Sequence, residues 1–194
     1  MIPTAEGPLT NLVRDVRFNP QLICLIGAEC TGKTTLAKAL AAHFSSLWVP
    51  EHLRSFCDLQ GRTPRADEQV LIMRAQFEQE EQAAALARQT ACPYVLCDSA
   101  PLLTAIYSDF YFSDPSLFEC AHVLHTRYAL TLLLQPDMPW VSDGLQRDGD
   151  PARAAIHARL RHELHAMRHP CIEVSGSGDR RLQAAILAVE TLTS

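Results

Sequence analysis

The chain has 194 residues, 47% of them hydrophobic, and a formal net charge of −5 at pH 7. This size allows one full core and is short for two independent domains, and the acidic balance supplies no general field for nucleic acid. No apolar run reaches the roughly 20 residues that span a bilayer, and the seven cysteines, with Cys24, Cys97 and Cys171 inside apolar runs, fit the reduced thiols of a cytoplasmic protein better than disulfides.

Residues 1–20 mix Pro, Gly, Asn and charges without periodicity and read as a tail or arm, so the folded domain is expected over residues 21–194. Gln21 to Ile26 is a continuous apolar run closed by Gly27, the pattern of a strand buried on both faces. Thr34 to Phe44 is rich in Ala, Leu and Lys and predicts a helix. Leu47 to Val49 is a short second strand ended by Pro50. Asp67 is placed to cap a long helix from about Glu68 to Gln89, most of whose carboxylates should be solvated. Tyr94 to Cys97 forms a third strand ending on Asp98, Ala129 to Leu134 a fourth and Cys171 to Val174 a fifth. Alternating strands and helices predict a parallel sheet covered on both faces, with ligands gathered beyond the carboxyl ends of the strands. His122 and His125 lack the spacing of a zinc motif, and neither CxxC nor HExxH occurs.

Between the first strand and first helix stands Gly27-Ala-Glu29-Cys30-Thr31-Gly32-Lys33-Thr34-Thr35, which matches G-x-x-x-x-G-K-[ST] in the context that motif requires. Glycines let backbone N–H groups face phosphates, Lys33 reaches the outer phosphates, and Thr34 is a magnesium ligand in such loops. The expected cofactors are therefore ATP and magnesium. Asp98, at a strand end, suits a magnesium carboxylate or a cap for the following helix. Glu51, in Val-Pro-Glu-His-Leu-Arg54, is either a base facing the phosphates across the crevice or a surface glutamate at a helix start, and Arg54 shares the ambiguity.

Gln135 to Asp150 is irregular and dense in Pro, Gly and charge. It has the character of a lid, in which Arg147 and the following Arg153 stabilise phosphoryl charge and Trp140 stacks on a ring. The plainer reading makes Trp140 core and the arginines a solvated helix face. Ser175 to Arg180 is either an adenine-lining turn or a flexible connection.

Four segments together resemble the ribosylnicotinamide kinase domain of bacterial NadR-type proteins, within the P-loop kinase group. They are GAECTGKTTLAKALA, VPEHLR, the Arg74-Ala-Gln76 region and, most discriminating, DMPWVSDGLQRDGD. The resemblance implies an α/β P-loop NTPase fold, a three-layer sandwich with a parallel five-stranded sheet and a helical lid. It implies transfer of the ATP γ-phosphate to nicotinamide riboside. Glu51 or Asp98 would then contact the riboside or act as base, with Arg54, Trp140 and Asp143 at the substrate and Arg147 in the lid. Asp98-Ser-Ala-Pro carries one acid where the family commonly has two, and the nucleotidyl-transfer histidine motif of full NadR-type proteins is missing. A kinase domain acting by itself is expected, with a small-molecule nucleoside as partner. Phosphorylation of another nucleoside or small alcohol, a switch-type ATPase, and a nucleotide binder without catalysis are the competing readings.

Overall fold

In the computed structural model, which describes residues 19–139 and 149–192, β1 (Gln21–Ile26) occupies the centre of the sheet. It is hydrogen-bonded on one side to β3 (Tyr94–Asp98) and on the other to β4 (Leu130–Leu134). A strand flanked on both edges and both faces meets no water, which is why its sequence is apolar without alternation. β2 (Leu47–Val49) pairs outside β3, and β5 (Cys171–Val174) outside β4, all parallel, in the order β2-β3-β1-β4-β5.

Alternate side chains of the central strands feed two separate cores. Leu22, Cys24 and Ile26 face a layer built from α2 (His52–Gln60), α3 (Gln69–Thr90), α4 (Pro101–Phe112), α5 (Phe118–His125) and α6 (Gly149–Ala166). Ile23 and Leu25 face α1 (Lys33–His43) and α7 (Gly178–Glu190). The result is a three-layer α/β P-loop sandwich with a parallel five-stranded sheet, as the sequence implied. Ile23 and Leu132 are fully buried, and truncating either to Ala should cost about 2–5 kcal/mol.

Two readings need correction. Asp67 does not cap the long helix: it lies within a 3₁₀ turn, Ala66–Glu68, and pairs with Arg65 at 3.3 Å. The carboxylate of Glu68 caps that short turn, accepting the Arg65 backbone N–H at 2.8 Å, since a side chain three residues into a turn reaches back to its start, and the long helix itself has no side-chain cap. Most carboxylates of the long helix are solvated as expected, Glu78 and Glu81 being exposed, with one exception. Glu80 is fully buried and accepts hydrogen bonds from Gln76 Nε2 at 2.9 Å and the Tyr128 hydroxyl at 2.7 Å. Arg153 is not on a solvated face either; it is 5% exposed.

None of the seven cysteines forms a disulfide. Among the described residues no helix is long and apolar enough to cross a membrane. His122 bonds Glu163 at 2.9 Å, and His125 bonds Thr131 at 2.9 Å.

Candidate functional site

Because the five strands are parallel, the loops that follow them all emerge at one edge of the sheet, and every described site candidate lies there. The loop after β1 has the tightest backbone requirements. A Cβ on Gly27 would stand 2.9 Å from Thr31 Oγ1 and 3.0 Å from the Leu134 carbonyl, so only glycine lets β1 pass this close to β4. Gly32 has φ +77° and immediately precedes α1. The first N–H groups of a helix have no intrahelical partner. No acidic residue sits in the first turn of α1, so the positive end of the helix faces the site without a competing carboxylate.

Lys33 is buried, and its ammonium donates to the carbonyls of Gly27 at 3.0 Å and Ala28 at 3.2 Å. Thr31 Oγ1 donates to the Ala28 carbonyl at 2.8 Å. Residues 30–35 line a cavity of about 590 Å³ together with Lys38, Glu51, Arg54, Met138 and Pro139. Gly27 supports the loop from the sheet side, and Glu29 is half-buried.

Asp98 is 1% exposed at the end of β3, beside Leu25 of β1. Neither of its carboxylate oxygens has a partner meeting hydrogen-bond geometry among the described residues. The Thr34 hydroxyl lies close enough to act on its charge without completing such a bond. Burial pushes its pKa up, while Thr34, Lys33, Arg54 and Lys38 draw it back. The capping alternative fails on geometry: α4 starts at Pro101 with Ala100 as its cap residue and no side-chain cap. An uncompensated buried carboxylate beside a threonine hydroxyl is a pair of hard oxygen donors of the kind magnesium takes when phosphates and water complete its shell.

Glu51 precedes α2 without capping it. The first N–H of that helix, on His52, is taken at 2.8 Å by Gln76 Oε1 from α3, which leaves the Glu51 carboxyl to turn elsewhere. The residue is half-exposed along its stem, yet its carboxyl is packed inside. Burial raises its pKa, the Lys33 charge lowers it, the Asp98 charge raises it again, and Arg54 and the Ser99 hydroxyl lower it. Ser99 holds the turn after β3 at φ +83°, strained for a residue with a side chain, and its N–H donates to the Leu25 carbonyl at 2.8 Å. Lys33, Glu51 and Arg54 are thus brought to one cavity, and the Asp98 carboxylate lies within electrostatic reach of all three.

The remaining predicted residues divide. Trp140, Asp143 and Arg147, and with them the body of the expected lid, lie outside the described residues. The Ser175–Arg180 turn is tied down at Gly176, whose N–H donates to Asp137 at 2.6 Å. Sequence reasoning missed Lys38, Ser99, Met138 and Arg181 at this edge. Lys38 carried one usable signal, its position within α1 about one turn beyond Thr34. Arg181 carried none, being one of two adjacent arginines at the start of a helix.

The family model of the AAA domain matches residues 22–181. The chain belongs to that family. Among solved structures it is similar to NadR protein in complex with NR, with a TM-score of 0.74 and 20% identity over 96% of this chain and 56% of that one. NadR protein in complex with NAD and AMP-PNP gives a TM-score of 0.73 and 19% identity over 97% of this chain and 55% of that one. Thymidylate kinase from Ehrlichia chaffeensis gives 0.63 and 16%, over 91% of this chain and all of the other. The chain thus spans about half the length of the NadR structures it matches. At these identities the likeness establishes the fold, and the NadR resemblance carried by the motifs has its counterpart there. No curated protein sequence matches the chain.

Proposed function

We propose that this protein is an ATP- and magnesium-dependent kinase of a nucleoside, with nicotinamide riboside as the acceptor that its motifs favour. The observation that carries the reading is that Lys33, Glu51 and Arg54 line the cavity in front of the phosphate loop, with the buried Asp98 carboxylate in electrostatic reach of all three. Phosphoryl transfer asks mainly for positioning and charge compensation. Lys33 and the amides at the start of α1 bind the donor phosphates. Thr34 and Asp98 would hold magnesium, which when bound neutralises charge on those phosphates. That division leaves Glu51 to accept the proton of the acceptor hydroxyl, since its raised pKa moves a carboxylate toward the working pH of a general base. Arg54, which acts on both carboxylates, orients the acceptor. The NR complex and the NAD and AMP-PNP complex of NadR support the substrate pair, and seven cysteines without a disulfide support a reducing, cytoplasmic setting.

The test is ADP release from magnesium-ATP with nicotinamide riboside, other nucleosides or no acceptor, with Lys33→Ala as the blank. Stimulation by nicotinamide riboside above the other nucleosides is the expected result. Stimulation by a different nucleoside would move the substrate, and turnover independent of any acceptor would replace the kinase by an ATPase.

A further inference from the structure

Two guanidinium groups bond carbonyls of the phosphate loop without lining its cavity. Arg181 of α7 is 4% exposed. Its Nη1 donates to the Thr31 carbonyl, and its Nη2 donates to the Asp137 carboxylate and, at 3.1 Å, to the Gln135 carbonyl. Arg153 of α6 is 5% exposed, and its Nη2 donates to the carbonyls of Met138 at 2.8 Å and Cys30 at 3.4 Å. Residues 30–35 line the cavity in front of the loop, and these two arginines do not.

The peptide group is planar and trans, so the carbonyl of one residue and the N–H of the next point in opposite directions. Drawing the Cys30 and Thr31 carbonyls toward the arginines therefore turns the N–H groups of Thr31 and Gly32 toward the cavity. Nothing in regular secondary structure does this for them. Cys30 and Gly32 both sit at positive φ, 53° and 77°, outside any ladder, and peptide planes in such loops reorient unless tied. We propose that Arg153 and Arg181 are positioning residues that preset the phosphate-loop amides for an oligophosphate. The contacts of Asp137 extend the device: it accepts from Arg181 with one oxygen and from the Gly176 N–H with the other, so the turns after β4 and β5 and the phosphate loop form one bonded unit. Arg181 acts here as a fork of donors with its charge matched by Asp137. Arg153, whose carboxylate partner Asp150 is 3.5 Å away and 77% exposed, adds a less compensated positive charge beside the loop.

This inference rests on the reading of Gly27 to Thr35 as the site of nucleotide phosphates, and the test separates the two. In nucleotide-free, ¹⁵N-labelled protein, the amide resonances and hydrogen-exchange rates of Thr31 and Gly32 are compared among wild type, Arg181→Met, Arg181→Lys and Arg153→Met. Binding of ATP, ADP and adenosine to the same proteins is measured by calorimetry. The expected result is displaced resonances and faster exchange at those two amides. ATP and ADP affinity should fall about 10- to 100-fold, the size of lost charge-assisted hydrogen bonds, with adenosine affinity unchanged. Arg181→Lys, which keeps the charge but not the fork, should resemble Arg181→Met more than wild type. Unaltered amides, equal loss for adenosine and ATP, or full rescue by Arg181→Lys would each overturn it. If wild type binds no nucleotide, the functional reading falls and the amide measurement alone decides the positioning claim. If Arg181→Met does not fold, Arg181→Lys and Arg153→Met decide it.

Discussion

Asp98 and Glu80 are both carboxylates that the fold removes from water, one 1% exposed and the other fully buried, and they are treated in opposite ways. Glu80 has a donor for each oxygen, Gln76 Nε2 and the Tyr128 hydroxyl, with Arg127 at 3.6 Å besides. Asp98 has none in hydrogen-bond geometry among the described residues. A satisfied buried acid is a fixture of the architecture, joining α3 to the turn before β4. An unsatisfied one costs stability that a packed core would not sacrifice without return, and it stands at the strand end facing the phosphate loop. The contrast separates structural from functional acid on geometry, where composition makes the two look alike.

The comparison is sharpest for activity. Asp98→Asn should lower kcat in the kinase assay by about 100- to 1000-fold, the scale of losing one electrostatic contact at a phosphoryl-transfer site. Its melting temperature should change little, because a buried charge without a hydrogen bond is removed while Lys33, Arg54 and Lys38 lose its attraction. A clear drop in melting temperature would mean that Asp98 has a structural partner after all. Glu80→Ala should do the reverse, costing about 3 kcal/mol or more in urea unfolding. It leaves Gln76 Nε2 and the Tyr128 hydroxyl without their acceptor, Arg127 keeping Glu81 at 2.5 Å, while the rate per folded molecule should stay within about threefold. A rate loss as large as that of Asp98→Asn would merge the two regions into one catalytic network.

Next in size is the pH dependence of stability. Burial pushes the Glu80 carboxyl up to about 7 from 4.5. Between those values the folded chain keeps a proton that the unfolded chain has released, so this group's contribution is full below pH 4.5 and is lost as pH rises through about 7. His125 has the opposite sign. Burial, with His169 and His122 nearby, pulls its imidazole down to about 3 from 6.5. Its contribution is full above pH 6.5, and as pH falls below that value the unfolded chain takes up the proton first, until the contribution is gone near pH 3. Glu80→Gln, which keeps an acceptor for Gln76, should flatten the loss between pH 4.5 and 7 by about 1–3 kcal/mol. An unchanged slope in urea titrations across that range would show the carboxyl to be ionised throughout.

The smallest effect is expected at Arg74, which sits in one of the segments that carry the family resemblance. Its guanidinium is 75% exposed and pairs at 2.8 Å with a half-exposed Glu78 one turn along α3. Arg74→Ala should change stability by no more than about 0.5 kcal/mol. A larger loss in thermal melting would point to a partner beyond Glu78.

From sequence alone followed the succession of strands and helices, the parallel sheet and the phosphate loop. Their signals are local: an unbroken apolar run for a strand covered on both faces, helix formers after Gly32, and glycines spaced for backbone approach. The strand-end position of Asp98 was legible for the same reason. Tertiary structure alone decided which charged residues are buried and what they touch. Gln76 of α3 takes the first N–H of α2 across 24 residues, and Arg181 reaches the Thr31 carbonyl across 150. Whether Glu80 or Glu81, Arg180 or Arg181, turns inward depends on the rotation of a whole helix against the sheet, which is set by the summed packing of its apolar side and leaves no mark on the single charged residue. The same dependence left the long helix without a side-chain cap from Asp67 and buried Arg153 against the Cys30 carbonyl.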